Sequence, residues 1–183
     1  MSFISSRLNP RPRGSLGSMS KQRAAPERQE ISIERMSEHD LLEVVEIEEQ
    51  SGLSRWGWAA YYAELQGANR DLMLVARPSK SATLEASPIA GYIVARETAG
   101  ELHINNFAVR SEFRRRGIGA TLLNHVLQEA RQRKAKAAFL EVRSTNHVAQ
   151  ALYEKCGFQA IARRANYYSE PKEDAVVMSL DLG

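Results

Sequence analysis

Apolar residues in the first half of the chain recur with the periods of both strands and helices. Polarity alternates over Ile31–Arg35, which predicts a short strand. From Leu41 the apolar residues follow helical spacing, and Ser37, followed by acids, is a candidate N-cap for that helix. The pattern further predicts a helix over Trp58–Gln66 and strands over Asp71–Ala76, Ile89–Arg96 and Leu102–Val109, with a loop at Pro78–Pro88 and a turn at Gly100.

The second half of the chain has a more regular apolar pattern. One apolar face runs along a long helix from Gly117 to about Arg133. The short apolar run Ala137–Val142 suits a buried strand. Another helix is predicted between Asn146, a candidate N-cap, and Gly157, which stops it. Two strands, over Phe158–Ala162 and Ala175–Asp181, are predicted to end the chain.

The predicted order is strand, two helices, three strands, helix, strand, helix and two strands. This order is typical of an α/β domain in which one mixed sheet carries helices on both faces. Residues 1–30 show neither period and are rich in Ser, Arg, Pro and Gly, so we expect a disordered basic leader there, and Met19 is an alternative start. A single domain is expected over residues 31–183.

The positive charge of the chain is concentrated in the leader. Residues 1–30 hold six Lys or Arg against two acids, whereas the other residues hold 19 against 20. A nearly neutral domain argues against direct nucleic-acid binding by the domain itself. For the leader, docking on acidic RNA or a ribosome is one alternative, and a segment that simply remains solvated is the one that its composition favours.

Composition excludes several classes of protein. No run approaches the roughly 20 apolar residues that span a bilayer, and the N-terminal segment lacks the apolar core of a secretory signal. With Cys156 as the only cysteine, neither an internal disulfide nor a Cys-based zinc site is expected, and the four histidines are too dispersed to predict a metal site. We therefore expect a cytoplasmic protein without a metal.

The candidate chemistry centres on the segment Arg-Arg-Arg-Gly-Ile-Gly-Ala at residues 114–120, which opens the longest predicted helix. Its two glycines let a ligand approach the backbone. The first N–H groups of a helix are unpaired and favour phosphate, and the three arginines add positive charge. The Lys-Ser/Thr of a Walker loop and the third glycine of a dinucleotide fingerprint are both lacking. From this segment alone, a glycine turn with solvated arginines or a nucleic-acid contact remains open.

Six segments together carry a resemblance: Phe107-Ala-Val, Arg114-Arg-Arg-Gly-Ile-Gly-Ala, Leu140-Glu-Val-Arg-Ser-Thr-Asn, Ala151-Leu-Tyr-Glu-Lys-Cys-Gly-Phe, Arg163-Arg-Ala-Asn-Tyr-Tyr and Glu173-Asp-Ala-Val-Val-Met. They resemble the GNAT acetyltransferases, whose cofactor motif is Arg/Gln-x-x-Gly-x-Gly/Ala. Within that family the chain is similar, over about residues 31–182, to the bacterial ribosomal-protein-alanine N-acetyltransferases of the RimI type. The resemblance implies the GNAT fold, a single mixed, mostly antiparallel sheet flanked by helices on both faces, and acetyl-CoA as cosubstrate.

The resemblance also implies which residues bind the cosubstrate. Asn146 is expected to contact it directly. The backbone that pairs with the pantetheine arm is expected at Phe107, Ala108 and Val109, and the pyrophosphate site at Arg114, Arg115, Arg116, Gly117, Ile118, Gly119 and Ala120.

Acyl transfer to an amine requires two proton movements, because the ammonium must lose a proton and the departing thiolate must gain one. Glu141 lies in the apolar strand, where partial burial suits a general base, but a carboxylate paired with an arginine such as Arg143 fits the pattern equally. Tyr153 lies within the last helix, where a packed aromatic with a hydrated hydroxyl is the alternative. The resemblance implies a direct transfer with Glu141 as base and Tyr153 as acid.

The acceptor is predicted from chemistry and resemblance together. An α-amino group has a pKa about 2.5 units below that of lysine, so deprotonating lysine costs about 3.4 kcal/mol more. This favours a protein N-terminus, and the resemblance implies the N-terminal alanine of a small-subunit ribosomal protein. Lysine side chains or small amines are alternative acceptors. A non-catalytic acyl-CoA-binding module is the alternative from another class.

Three aromatic residues are the predicted acceptor contacts. Tyr167 and Tyr168 resemble the paired tyrosines near the acceptor groove of the family, and a β-edge pair with one ring on each face is the alternative. Trp58 follows Trp56 and Gly57, where the family usually has Pro-Trp. Ala165 stands where relatives often carry a basic residue, so peptide affinity is expected to differ.

Overall fold

The computed structural model of the chain describes residues 30–53, 55–79 and 88–183. The prediction of a disordered leader therefore falls, except for residue 30, outside the described residues, as does most of the predicted loop at Pro78–Pro88. A domain over residues 31–183 remains a prediction.

Within these described ranges, four helices and seven strands follow each other in the predicted order. The helices are α1 (Leu41–Ser51), α2 (Gly57–Leu65), α3 (Ile118–Gln132) and α4 (His147–Lys155). The strands are β1 (Ile31–Arg35), β2 (Met73–Pro78), β3 (Gly91–Thr98), β4 (Glu101–Val109), β5 (Ala137–Arg143), β6 (Gln159–Ser169) and β7 (Lys172–Asp181).

The strands form one sheet in the order β1-β2-β3-β4-β5-β7-β6. Only the β4–β5 pair is parallel, so the predicted mixed, mostly antiparallel sheet is confirmed. One buried cluster joins α1 and α2 to β2 and β3. The other joins α3 and α4 to the opposite face, where every apolar residue on the inner stripe of α3 is buried. Helices thus cover both faces, as the pattern predicts.

Two predicted helix starts are found with different local structure. Asn146 caps α4, because its Oδ1 accepts a hydrogen bond from the Ala149 N–H at 3.1 Å. Ser37 instead begins a short 3-10 turn over Glu38–Asp40 that leads into α1. There the Ser37 N–H and hydroxyl donate to the Asp40 carboxylate at 2.7 and 3.0 Å.

The last two strands are longer than predicted. They continue towards each other as a hairpin that turns at residues 170–171, whereas the pattern placed no strand over residues 163–174. The reason is that β6 is an edge strand whose side chains are nearly all exposed, so it needs no apolar alternation. The predicted start of β2 at Asp71 was also wrong, because residues 70–72 form a 3-10 turn.

A β-bulge in β4 redirects its side chains. Val94 pairs with Asn106 and Ala95 with Ile104, so Asn105 is an extra residue in β4. Before the bulge, Ile104 packs in the cluster beneath α3 and α4, whereas Asn106 is buried on the side of α1 and α2. β4 and β5 pair only as far as Ile104 and Leu140 and then diverge. A gap therefore opens in the middle of the sheet.

Candidate active site

A cleft occupies the gap between β4 and β5. Its lining includes five residues that the sequence singled out, Phe107, Glu141, Asn146, Tyr153 and Tyr168. Further walls come from the α1–α2 segment at Gly52, Leu53 and Trp56. Beyond Ile104, no strand in the described part of the chain pairs with the β5 side of β4. The Val109 carbonyl accepts a hydrogen bond from Arg114 Nε at 2.9 Å. The other backbone N–H and C=O groups on this side have no strand partner among the described residues and are available to an extended ligand that carries amides, as pantetheine does.

Glu141 and Tyr153 approach the cleft from opposite faces of the sheet. Neighbouring side chains of a strand alternate between faces. Because Leu140 and Val142 pack beneath α3 and α4, Glu141 faces the side of α1 and α2. Tyr153 comes from α4 on the other face. Two substrates that enter the gap from opposite faces of the sheet can thus meet between these two side chains.

The Glu141 carboxylate is ion-paired but accessible. Its Oε1 lies 3.1 Å from Nη1 of Arg164 on β6, and the glutamate side chain keeps 29% of its surface exposed. An arginine partner is the alternative that the sequence left open, but Arg143 is not that partner, since its Nη1 binds the Glu173 carboxylate at 3.3 Å. The ion pair holds the carboxylate at the cleft without burying it.

Tyr153 is a buried ring whose hydroxyl remains available. The ring packs between Phe107 and Phe158, with centroids 6.3 and 6.0 Å away. Tyr153 lines the cleft, and no hydrogen bond joins its hydroxyl to the described residues. Burial raises the pKa of Tyr153 well above its usual value of 10.0. The hydroxyl therefore stays protonated near neutral pH and can donate its proton.

Of the two predicted tyrosines on β6, only Tyr168 lines the cleft. Its hydroxyl donates to the backbone carbonyl of Glu141 at 3.4 Å, and the Arg143 guanidinium lies 4.2 Å from the ring centroid. Arg143 also donates to the backbone carbonyls of Glu170 and Pro171, which fixes the hairpin turn. Tyr167 is 47% exposed, and its ring is perpendicular to that of Tyr168. The two tyrosines therefore resemble a β-edge pair, which was the alternative to two acceptor contacts, with the Tyr168 ring directed into the cleft and the Tyr167 ring exposed.

Glu173 orders the loop between β5 and α4. Its carboxylate accepts hydrogen bonds from the Thr145 N–H at 2.7 Å, the Ser144 hydroxyl at 3.2 Å and Arg143 at 3.3 Å. The Thr145 N–H contributes most to lowering the pKa of Glu173 to about 2, so the carboxylate is ionised near neutral pH. This arrangement holds the loop that places Asn146 at the N-terminus of α4.

The predicted pyrophosphate segment has the backbone of an anion site. Arg115 and Gly117 have φ angles of 63° and 85°, and N–H groups converge where left-handed residues lie in a turn. In the part of the chain that the structure describes, no side chain caps α3. A Cβ on Gly119 would lie 3.2 Å from Leu152 and 3.3 Å from Phe107, so glycine lets α3 approach α4 and β4. These features fit the diphosphate of coenzyme A.

Replacing Gly117 with Ala is expected to lower Tm by about 2–8 °C, because a left-handed residue with a Cβ costs about 1–2 kcal/mol. The distorted anion site should also bind coenzyme A about tenfold more weakly, which corresponds to about 1.4 kcal/mol. Thermal unfolding and calorimetric titration measure the two effects. Gly100, with a φ of 83° and open space around it at the β3–β4 turn, provides the matched control. Gly100→Ala should lower Tm similarly without weakening the binding of coenzyme A. Equally weakened binding in both variants would contradict the assignment of the pyrophosphate site to residues 114–120.

Trp58, the third predicted acceptor contact, lies outside the cleft. Its ring stacks on Tyr62 at 4.8 Å and is 45% exposed. Trp56 lines the cleft instead. The sequence placed the two tryptophans where relatives have one, and only the fold distinguishes them. The contact between Trp58 and the acceptor remains a prediction, and Trp58 is not among the residues that line the cleft.

Comparison with known proteins assigns the chain and its fold to a family. Residues 41–158 match the acetyltransferase (GNAT) family. The chain belongs to the GNAT family. It is 30% identical over 156 residues to the ribosomal protein bS18-alanine N-acetyltransferase of Haemophilus ducreyi, an alignment that covers 82% of this chain and 99% of that enzyme.

Two comparisons with Escherichia coli proteins agree with this. The chain is 35% identical over 96 residues to the bS18-alanine N-acetyltransferase of strain K12, covering 51% of this chain and 65% of that enzyme. The crystal structure of the ribosomal-protein-S18-alanine N-acetyltransferase from this species superposes with a TM-score of 0.69 and 28% identity, covering 84% of this chain and 95% of that one. The predicted fold, N-acetyltransferase activity and resemblance to the RimI type are confirmed, and this family implies the use of acetyl-CoA.

The described residues contain neither a candidate metal cluster nor a helix suited to spanning a membrane. Among residues 30–53, 55–79 and 88–183, no three His, Cys, Asp or Glu side chains are placed to hold a metal ion. Within the same ranges, no helix is long and apolar enough to cross a bilayer.

Proposed function

We propose that this GNAT enzyme acetylates the N-terminal alanine of ribosomal protein bS18. The observation that carries the proposal is the gap through the sheet, with a carboxylate at one face and a neutral phenol at the other. The names of the similar enzymes from Haemophilus ducreyi and Escherichia coli supply the acceptor. The protein partner is thus a ribosomal protein that presents a free α-amine.

The cosubstrate would bind along β4 and at the start of α3. The part of β4 at Phe107, Ala108 and Val109, which pairs with no described strand on its β5 side, would pair with the amides of pantetheine. The anion site at residues 114–120 would hold the pyrophosphate, and Asn146 would contact the arm beside α4. When bound, acetyl-CoA supplies a thioester that an amine can attack.

Glu141 and Tyr153 would move the two protons of the reaction. Glu141 would take a proton from the acceptor ammonium, directly or through a water, since its carboxylate is accessible at the cleft. Tyr153 would give its proton to the departing sulfur from the opposite face, and the second proton that the nitrogen loses as the amide forms would restore the phenol. The ion pair with Arg164 would keep the carboxylate directed at the cleft. The transfer is direct, and no enzyme nucleophile takes part.

The acceptor side of the cleft would receive the α-amine of the peptide. The acceptor side lies between the α1–α2 segment and Tyr168, whose ring is fixed by Arg143. A single moderate base also suits an α-amine, because lysine costs about 3.4 kcal/mol more to deprotonate. Exposed Tyr167 would contact residues further along the peptide.

A peptide panel tests the acceptor. Each peptide would carry the N-terminal sequence of bS18 and would be incubated with acetyl-CoA. One peptide has a free N-terminal Ala, and in others Ser or Met replaces that Ala. The last has a blocked N-terminus and one internal Lys. We expect acetylation of the free-Ala peptide with the highest kcat/KM and none of the blocked peptide, as measured by mass spectrometry. Acetylation of the internal Lys alone would contradict the bS18 proposal and leave the family unchanged.

A further inference from the structure

A buried carboxylate lies just outside the cleft. Glu48 of α1 is 1% exposed. Its carboxylate accepts four hydrogen bonds, from the N–H groups of Trp56 and Gly57 at 2.9 and 3.1 Å, the Tyr61 hydroxyl at 2.7 Å and the Asn106 amide at 3.0 Å. A buried carboxylate is tolerated only when its oxygens are this well satisfied. All four donors are neutral groups.

The four donors come from two parts of the fold, α2 with the residue before it and β4. Trp56 and Gly57 begin α2, whereas Asn106 lies in β4 directly after the bulge. Tyr92 of β3 closes the network, since its hydroxyl donates to Asn106 Oδ1 at 3.0 Å and lies 3.0 Å from the Tyr61 hydroxyl. Burial raises the pKa of both tyrosines above 10.0, so both remain neutral donors. Glu48 therefore ties the α1–α2 segment to the central strands.

The parts that Glu48 joins are walls of the cleft. The α1–α2 segment lines the cleft through Gly52, Leu53 and Trp56, and Asn106 lines it from β4. Tyr168 lines the cleft from β6, which lies on the β5 side of the gap. The distance from the α1–α2 segment to Tyr168 across the acceptor side therefore depends on how that segment packs against β4. The hydrogen bonds of Glu48 hold the segment and β4 together.

We infer that Glu48 is a positioning residue for the acceptor. It fixes Trp56 and the α1–α2 segment against β4, and in this way sets the width of the acceptor side of the cleft. The inference rests on the proposed function, because it assigns the α1–α2 wall to acceptor binding. It leaves the cosubstrate site and the proton transfers to other residues.

Replacing Glu48 with Gln tests the inference. Glutamine has nearly the same size, but it offers one acceptor oxygen and turns an NH2 group towards N–H donors. Loss of one hydrogen bond to a charged group corresponds to about a tenfold change, and we expect KM for the acceptor peptide to rise by about that factor. The kcat at saturating peptide and the Kd for coenzyme A should stay close to the wild-type values, because neither depends on the α1–α2 wall.

Two further variants make the result specific. Glu49→Gln removes a neighbouring exposed carboxylate of α1 and should leave KM, kcat and Tm unchanged. Tyr61→Phe removes one donor to Glu48 while keeping the ring, so it should raise KM for the peptide in the same direction by a smaller factor. Thermal unfolding and coenzyme A titration of every variant report whether the fold and the cosubstrate site persist.

Several outcomes would overturn the inference. One is a fall in kcat with KM unchanged, and another is an unaltered KM in a folded Glu48→Gln protein. Glu48 would serve stability alone if the substitution weakened the binding of coenzyme A and of the peptide equally. The same would follow if both the Glu48→Gln and the Tyr61→Phe proteins were unfolded. Failure of the wild-type enzyme to acetylate the Ala peptide would contradict the proposed function instead. The KM comparison would then use whichever amine of the panel the wild type acetylates.

Discussion

Replacing Glu141 with Gln is expected to lower kcat by about 10²- to 10⁴-fold, the contribution that a positioned general base makes. Glutamine keeps the size of the side chain and an oxygen that can accept from Arg164, but it cannot take a proton from the acceptor. The carboxylate is accessible at the cleft and carries no packing of the core, so Tm and the Kd for coenzyme A should not change. Single-turnover acetyl transfer to the Ala peptide measures the effect.

Glu154→Gln provides the control for this substitution. Glu154 is an exposed acid of α4, one residue after Tyr153, and the cleft lining does not include it. Wild-type kcat in Glu154→Gln together with the loss in Glu141→Gln would support the base assignment. Wild-type kcat in Glu141→Gln would contradict it and make the carboxylate a partner of Arg164 only.

The helices and central strands could be predicted because their sequences carry a period. α3 is the clearest case, since every residue on its apolar stripe is buried in the structure. α4 was bounded by Asn146 and Gly157, and the cap is made as predicted. Where burial does not impose a period the prediction was too short, as in β6, which continues beyond the predicted Ala162 to Ser169 at the edge of the sheet and is exposed almost throughout.

The cleft itself could not be predicted from local patterns. It exists because β4 and β5 part after Ile104 and Leu140, which is a relation between distant segments. At the point where the strands part, the bulge at Asn105 changes which side chains of β4 face each side of the sheet. The alternation of Leu102–Val109 does not predict this extra residue. Strand divergence and bulge together turn a predicted strand into the edge of a binding site.

The partners of charged residues were also hidden in the sequence. An arginine two residues away was one alternative for the partner of Glu141, but Arg143 binds Glu173 and the partner comes from β6. Glu48 did leave a signal, because it shares the apolar face of α1 with Leu41, Val44 and Ile47. A carboxylate on such a face predicts a buried, satisfied group.

Replacing Tyr153 with Phe is expected to lower kcat by about 10²-fold or more, because the departing sulfur would lose its proton donor. The ring keeps its packing against Phe107 and Phe158, so Tm should be nearly unchanged. The pH dependence gives a second measurement. Since burial raises the pKa of Tyr153, its proton is retained to higher pH than in a free tyrosine, and wild-type kcat should not fall on the alkaline side below about pH 10.

Tyr62→Phe is the matched control for Tyr153→Phe. Tyr62 is a partly exposed tyrosine of α2 that stacks on Trp58 outside the cleft, and the substitution removes the same hydroxyl without touching the gap. It should leave kcat at the wild-type value. If Tyr153→Phe also retained wild-type kcat, the sulfur would have to leave without a proton from the enzyme. The phenol would then serve only to fill the cleft between Phe107 and Phe158.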